Sequence, residues 1–127
     1  VTGALLDTSV LIARSGGLPL PETAAISVVT LGELRAGVLL ARNEEVAQER
    51  AARLAAVRAA FAPLPVDEPV ARRYGEVFAV ARSERRAVSA TDLLIIATAA
   101  ASNRRLYTLD VAQARLAGAA GIDAVVF

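Results

Sequence analysis

Short apolar runs alternate along this chain with longer segments whose apolar residues fall at helical spacing. The runs ALL at 4–6, AAIS at 24–27, LPVDE at 64–68, RLYTLD at 105–110 and IDAVVF at 122–127 read as brief strands. Between them lie helical segments. Thr8 or Ser9 can cap a short helix VLIAR, and Ser27 is a good N-cap for VVTLGELRAGVLLA. Residues 43–60 form another helix, in which Val46, Leu54 and Val57 alternate with charged positions until Pro63 and Pro65 end it. Pro69 suits the first turn of VARRYGEVFAVARSERR. SATD opens the most apolar helix, LLIIATAAASN, and VAQARLAGA makes a last short one. The stretch 15–22, SGGLPLPE, is a loop by its glycines and prolines. Strands alternating with helices predict an α/β protein, a three-layer α/β/α sandwich with a short, mainly parallel sheet.

Composition narrows the picture. The 127 residues fit a single domain spanning 1–127, and 55 % hydrophobic content is enough for a real core. Aromatics are scarce, so Leu, Val, Ile and Ala must fill it. The net charge of +1 shows no overall basic character, which leaves only a local Arg patch for binding nucleic acid. The absence of Cys excludes a disulfide framework and a thiolate zinc site. No apolar run approaches a membrane span, and VTGALLDTSV has no charged start followed by an apolar leader, so a cytoplasmic, non-membrane protein is expected.

The candidate chemistry lies in the acids. Asp7, Glu33, Asp92 and Asp110 each sit against an apolar run, where a carboxylate is costly unless compensated. In open parallel sheets, ligands bind beyond the carboxyl ends of the strands. Asp7 and Asp110 end strands, and Asp92 lies in the first turn of its helix. Glu33, about two turns into its helix, must face inward to join them. Each has a plainer reading as well: Asp92 as the acid of a capping box with Ser89, Asp110 as an ordinary N-cap. Convergence has a cost, since two carboxylates at about 4 Å repel by roughly 4 kcal/mol at an effective dielectric of 20. The chain has no Lys and no His to offset that charge. An oxygen-only donor set suits Mg²⁺ or Mn²⁺ rather than zinc or copper.

The motifs LLDTSVLI, SVVTLGELRAG, DLLIIATAAA and LYTLD, in this order and spacing, resemble the PIN-domain ribonucleases, and among them the VapC toxins of bacterial toxin–antitoxin pairs. The resemblance covers nearly the whole chain. It implies a PIN-like fold and an endoribonuclease that needs Mg²⁺ or Mn²⁺, held by Asp7, Glu33, Asp92 and Asp110. Asp7 and Asp92 would be the principal ligands, with Thr8, Ser9 and Thr108 orienting ligands or water. It also implies a homodimer, an RNA substrate and a cognate VapB-type antitoxin, with no nucleotide cofactor. The chain departs from the pattern where many relatives carry another acid after the Asp110 position, having Val111, Ala112 and Gln113 instead; Thr91 stands where close relatives often have Asn.

Arg14, Arg35, Arg50, Arg53, Arg85 and Arg86 are candidate RNA contacts, because the guanidinium fork matches phosphate. Against this stands a solvated face with i,i+4 pairs such as Glu49 with Arg53. Tyr74, Tyr107, Phe61, Phe78 and Phe127 are scattered, which suits core or dimer contacts better than base stacking. A haloacid-dehalogenase phosphotransferase would need Asp where Ser9 stands. A receiver domain would need Lys, and a P-loop enzyme Gly-Lys-Ser/Thr; both are absent. The alternative from another class is a PIN-like module that binds RNA or protein without cutting.

Overall fold

The computed structural model describes residues 2–13 and 23–127. Its elements run β1 (Ala4–Leu6), α1 (Thr8–Ala13), β2 (Ala24–Ser27), α2 (Val28–Leu39), α3 (Glu44–Ala60), β3 (Pro63–Leu64), α4 (Glu68–Ser83), α5 (Ala90–Ala101), β4 (Arg105–Thr108), α6 (Val111–Ala119) and β5 (Ala124–Val126). The five strands form one sheet in the order β3-β2-β1-β4-β5. Every pairing is parallel, with Leu5 opposite both Ala25 and Leu106.

Side-chain alternation along the strands builds the three expected layers. Leu5, Ala25 and Leu106 point to one face and pack with Val77, Ala81, Leu93, Ile96 and Leu116 of α4, α5 and α6. Ala4, Leu6 and Ile26 point to the other and meet Leu11, Leu34 and Val57 of α1, α2 and α3. The central strand β1 is buried along its whole length, so it carries no polar position until Asp7. α5 presents apolar groups nearly all round and lies deep, as its run of Leu, Ile and Ala requires.

Several boundaries differ from the sequence reading. The strand expected at 64–68 is only Pro63–Leu64. Pro65 has no N–H to continue the ladder, and Asp67 instead caps α4 by accepting from Val70 N at 3.2 Å. α4 stops at Ser83 rather than continuing through Arg86, and Arg85 takes a left-handed φ of 56°. Asn103, at φ 54°, likewise follows the end of α5. Ser27 and Ser89 cap α2 and α5 as expected. Thr8 and Ser9 do not cap α1; their hydroxyls turn to carboxylates instead. The loop read at 15–22 and the candidate Arg14 lie outside the described residues.

Candidate active site

Asp7 leaves the central strand at the carboxyl edge of the sheet and is only 5 % exposed. Its Oδ2 receives two hydroxyls, Ser9 Oγ at 2.6 Å and Thr108 Oγ1 at 3.0 Å. Each hydroxyl in turn accepts a backbone N–H from the turn after β4. Leu109 N donates to Ser9 Oγ at 3.1 Å, and Asp110 N donates to Thr108 Oγ1 at 3.0 Å. Two backbone amides thus feed two hydroxyls, and both hydroxyls feed one carboxylate oxygen. Among the described residues, no donor reaches Asp7 Oδ1, which is left for the site.

Glu33 is brought in by α1. Thr8 Oγ1 stands 2.6 Å from Glu33 Oε1 and 3.0 Å from the buried Thr30 Oγ1. A hydroxyl has one proton, and the short charge-assisted contact takes it. Glu33 therefore faces the sheet edge as its inward position required, and Arg35 is exposed.

Asp110 keeps its plainer role as an N-cap, and Asp92 shows only the half of the capping box in which Ser89 accepts. Ser89 Oγ accepts from Asp92 N at 3.2 Å, and Asp110 Oδ1 accepts from Ala112 N at 2.9 Å and Gln113 N at 3.2 Å. Both nevertheless line one cavity of about 330 Å³ together with Arg86, Ser89 and Gln113. Burial is the largest influence on Asp92 and raises its carboxyl above the usual range. The Ser89 hydroxyl pulls it back, and the charges of Asp7, Glu33 and Asp110 push it up further. The four acids therefore share one electrostatic neighbourhood. The nearby Arg86 is engaged elsewhere, 2.8 Å from Glu84 and donating to Ala112 O at 3.3 Å.

Among the described residues, no three acids are gathered tightly enough to form a ready-made cation cage. The donor set nonetheless fits a hard divalent ion: carboxylates in mutual repulsion, hydroxyls beside them, and no His, Cys or Lys.

A second cavity, about 240 Å³, is lined by Ile12, Glu33, Leu34, Gly37, Arg50 and Arg53. Arg50 is held there by donating to Gly37 O at 2.8 Å. Among the described residues, the ion pairs are Arg73–Glu76, Arg86–Glu84 and Arg105–Asp123; the pairing of Glu49 with Arg53 is not formed. Arg35 and Arg85 are exposed and line neither cavity. The aromatics pair with one another, Tyr107 with Phe127 at 5.5 Å and Tyr74 with Phe78 at 6.0 Å. Sequence reasoning gave no role to Thr30 or Gln113. Their buried polarity is the signal, and it appears only once the helices are placed.

The PIN domain family model matches residues 4–119. Ribonuclease VapC5 of Mycobacterium tuberculosis is 38 % identical over 126 residues, covering 95 % of this chain and 93 % of that protein. Ribonuclease VapC8 of the same organism is 45 % identical over 100 residues, covering 75 % and 88 %. Among solved structures, VapBC-5 from Mycobacterium tuberculosis, a member of the VapBC family of toxin–antitoxin systems, superposes with a TM-score of 0.87 at 35 % identity over the full length of both chains. FitAcB from Neisseria gonorrhoeae superposes with a TM-score of 0.77 at 29 % identity, covering 95 % of each chain. Fold and these likenesses agree: the chain belongs to the PIN-domain family, in its VapC group.

Proposed function

We propose that this chain is a Mg²⁺- or Mn²⁺-dependent endoribonuclease, the toxin of a type II toxin–antitoxin pair. The observation that carries this reading is the acid-lined edge of the sheet. Asp7 is oriented by two hydroxyls, Glu33 by a third, and the Asp92 carboxyl is raised first by burial and then by the other three charges. The likeness to proteins named ribonucleases supplies the substrate class.

Asp7 and Asp92 are the principal ligands in this reading, with Glu33 and Asp110 completing the set. A bound divalent cation supplies a more acidic water and offsets charge on the scissile phosphate. The chain's own groups do the rest. Ser9 and Thr108 hold Asp7 so that Oδ1 faces the site. Thr8 keeps Glu33 turned inward, where it can accept a proton from the attacking water. Asp110 Oδ1 stays committed to α6, leaving Oδ2 available. Arg50 and Arg53, beside Glu33, hold the RNA backbone on one flank, and Arg86 stands on the other. The 2′-hydroxyl takes no part, so the products carry 5′-phosphate and 3′-hydroxyl ends.

The VapBC likeness supports a VapB-type antitoxin as partner. The exposed Phe78 ring on α4 is an apolar surface that a second copy can cover, consistent with a homodimer. The test is cleavage of structured RNA by the purified chain with Mn²⁺ or Mg²⁺ against EDTA. Metal-dependent cleavage that is lost in Asp7→Asn and Asp92→Asn is expected. RNA decay that is equal with and without chelator would overturn the assignment and favour a binding module.

A further inference from the structure

Gln113 is an uncharged side chain buried to 4 % exposure at the floor of the cavity shared by Asp92 and Asp110. Its Oε1 faces Thr108 Oγ1 at 2.9 Å, while its Nε2 is buried with no partner among the described residues. In that arrangement the Thr108 hydroxyl cannot serve both of its acceptors. The hydroxyl has one proton, and two acceptors claim it: Asp7 Oδ2 at 3.0 Å and Gln113 Oε1 at 2.9 Å. The two ends of a carboxamide have nearly the same outline. Half a turn of the amide places Nε2 against Thr108 and resolves both faults. Thr108 Oγ1 then accepts from Asp110 N and from Gln113 Nε2, filling its two lone pairs, and its proton goes to Asp7. The orphan becomes a carbonyl oxygen, which proteins tolerate buried more often than an orphaned N–H.

We infer that Gln113 is a positioning residue. By donating to Thr108 it fixes the direction of the Thr108 hydroxyl, and through it the orientation of the Asp7 carboxylate. The relay is Gln113 N–H to Thr108 O–H to Asp7 Oδ2. Among the described residues the Leu109 amide donates to the Ser9 hydroxyl, whereas Gln113 gives the Thr108 hydroxyl a donor beyond the backbone. This inference rests on the proposed metal-dependent reading for its consequence, but not for its geometry.

The geometry is read by NMR on the intact chain without added metal. The Gln113 side-chain amide signals are identified by their loss in Gln113→Met. Nuclear Overhauser contacts from the amide protons to the Thr108 methyl, with slowed solvent exchange, are expected. An amide whose protons contact other residues but not Thr108 overturns the inference. The consequence is read by titrating Mn²⁺ alone into wild type and Gln113→Met by calorimetry. Removing a partner that orients a ligand typically weakens binding by about tenfold or more. That loss is expected in a variant that melts no lower than wild type, since an orphaned polar group has gone. Equal Mn²⁺ affinity in the two proteins overturns the positioning role. A wild-type chain that takes up no Mn²⁺ instead overturns the metal-dependent reading, and the amide contact is then decided by the NMR spectrum alone.

Discussion

Replacing Thr108 by Val tests the hydroxyl relay directly, because the side chain keeps its branched shape and loses only its polar atom. Thr108 is fully buried, and its Oγ1 lies within 3.0 Å of Asp7 Oδ2, Asp110 N and Gln113 Oε1. A hydrogen bond to a charged group contributes about 1.5–3 kcal/mol. The Asp110 amide is partly exposed, so water can replace its lost acceptor at small cost. An added buried methyl returns about 0.8 kcal/mol. The net loss is about 1–2 kcal/mol, which at a urea slope of about 1–3 kcal/mol/M lowers the unfolding midpoint by about 1 M. Thr108→Ser keeps the hydroxyl and deletes one methyl, which costs about 1 kcal/mol. Urea unfolding of both variants, repeated in an Asp7→Asn background, separates the two effects. Val should be the more damaging change, and its penalty should shrink when Asp7 carries no charge, with a coupling of about 1 kcal/mol. If Val is as stable as Ser, or the penalty is the same with and without the Asp7 charge, the relay does not hold Asp7.

Asp92→Asn should abolish cleavage yet stabilise the fold at neutral pH, by up to about 1 kcal/mol once solvent screening is allowed for. Burial and three neighbouring charges raise the Asp92 carboxyl in the folded state, so the folded chain holds its proton more tightly than the unfolded one. Wild-type stability therefore falls as pH rises from the ordinary value of 3.8 through the raised one, and the advantage of Asn should vanish below that window. Thermal melts across pH check the sign. Mn²⁺ at 100 times its dissociation constant should stabilise wild type by about 2.7 kcal/mol, and Asp7→Asn should lose the effect in a thermal-shift titration. Arg50→Ala with Arg53→Ala should weaken RNA binding and lower its salt slope by about one per lost phosphate contact, read by fluorescence anisotropy on an inactive background. Asp67→Ala should destabilise by about 1 kcal/mol through loss of the α4 cap and leave cleavage unchanged.

Much of this site was legible in the sequence because its acids stand where patterns change. Asp7 follows a wholly apolar strand, and Asp92 and Asp110 open helices after Ser89 and Thr108, so their place at the sheet's carboxyl edge follows from topology alone. Glu33 was placed by elimination, since α2 has little polar face to offer. The roles of Thr8 and Ser9 were only half visible. The composition that suits an N-cap also suits a hydroxyl donor to a carboxylate, and only the packing of α1 against α2 and β4 decides between them. Gln113 could not be assigned, because its significance is a burial and a missing partner. The brevity of β3 was hidden for a similar reason: Val66 and Asp67 carry a strand-like pattern, but the cap on α4 took the backbone out of the sheet.

The central place of β1 has a consequence for how the chain comes off the ribosome. Leu5 pairs with Ala25 nearby but also with Leu106, and the hydroxyl that steadies Asp7 comes from Thr108. Contacts that span so much of the chain form late and slow the search for the native state. During synthesis, the first four-fifths of the polypeptide cannot complete the sheet or its acid-lined edge. A chain released before that point lacks both Thr108 and Asp110, so it should show no ribonuclease activity until β4 has been translated and docked.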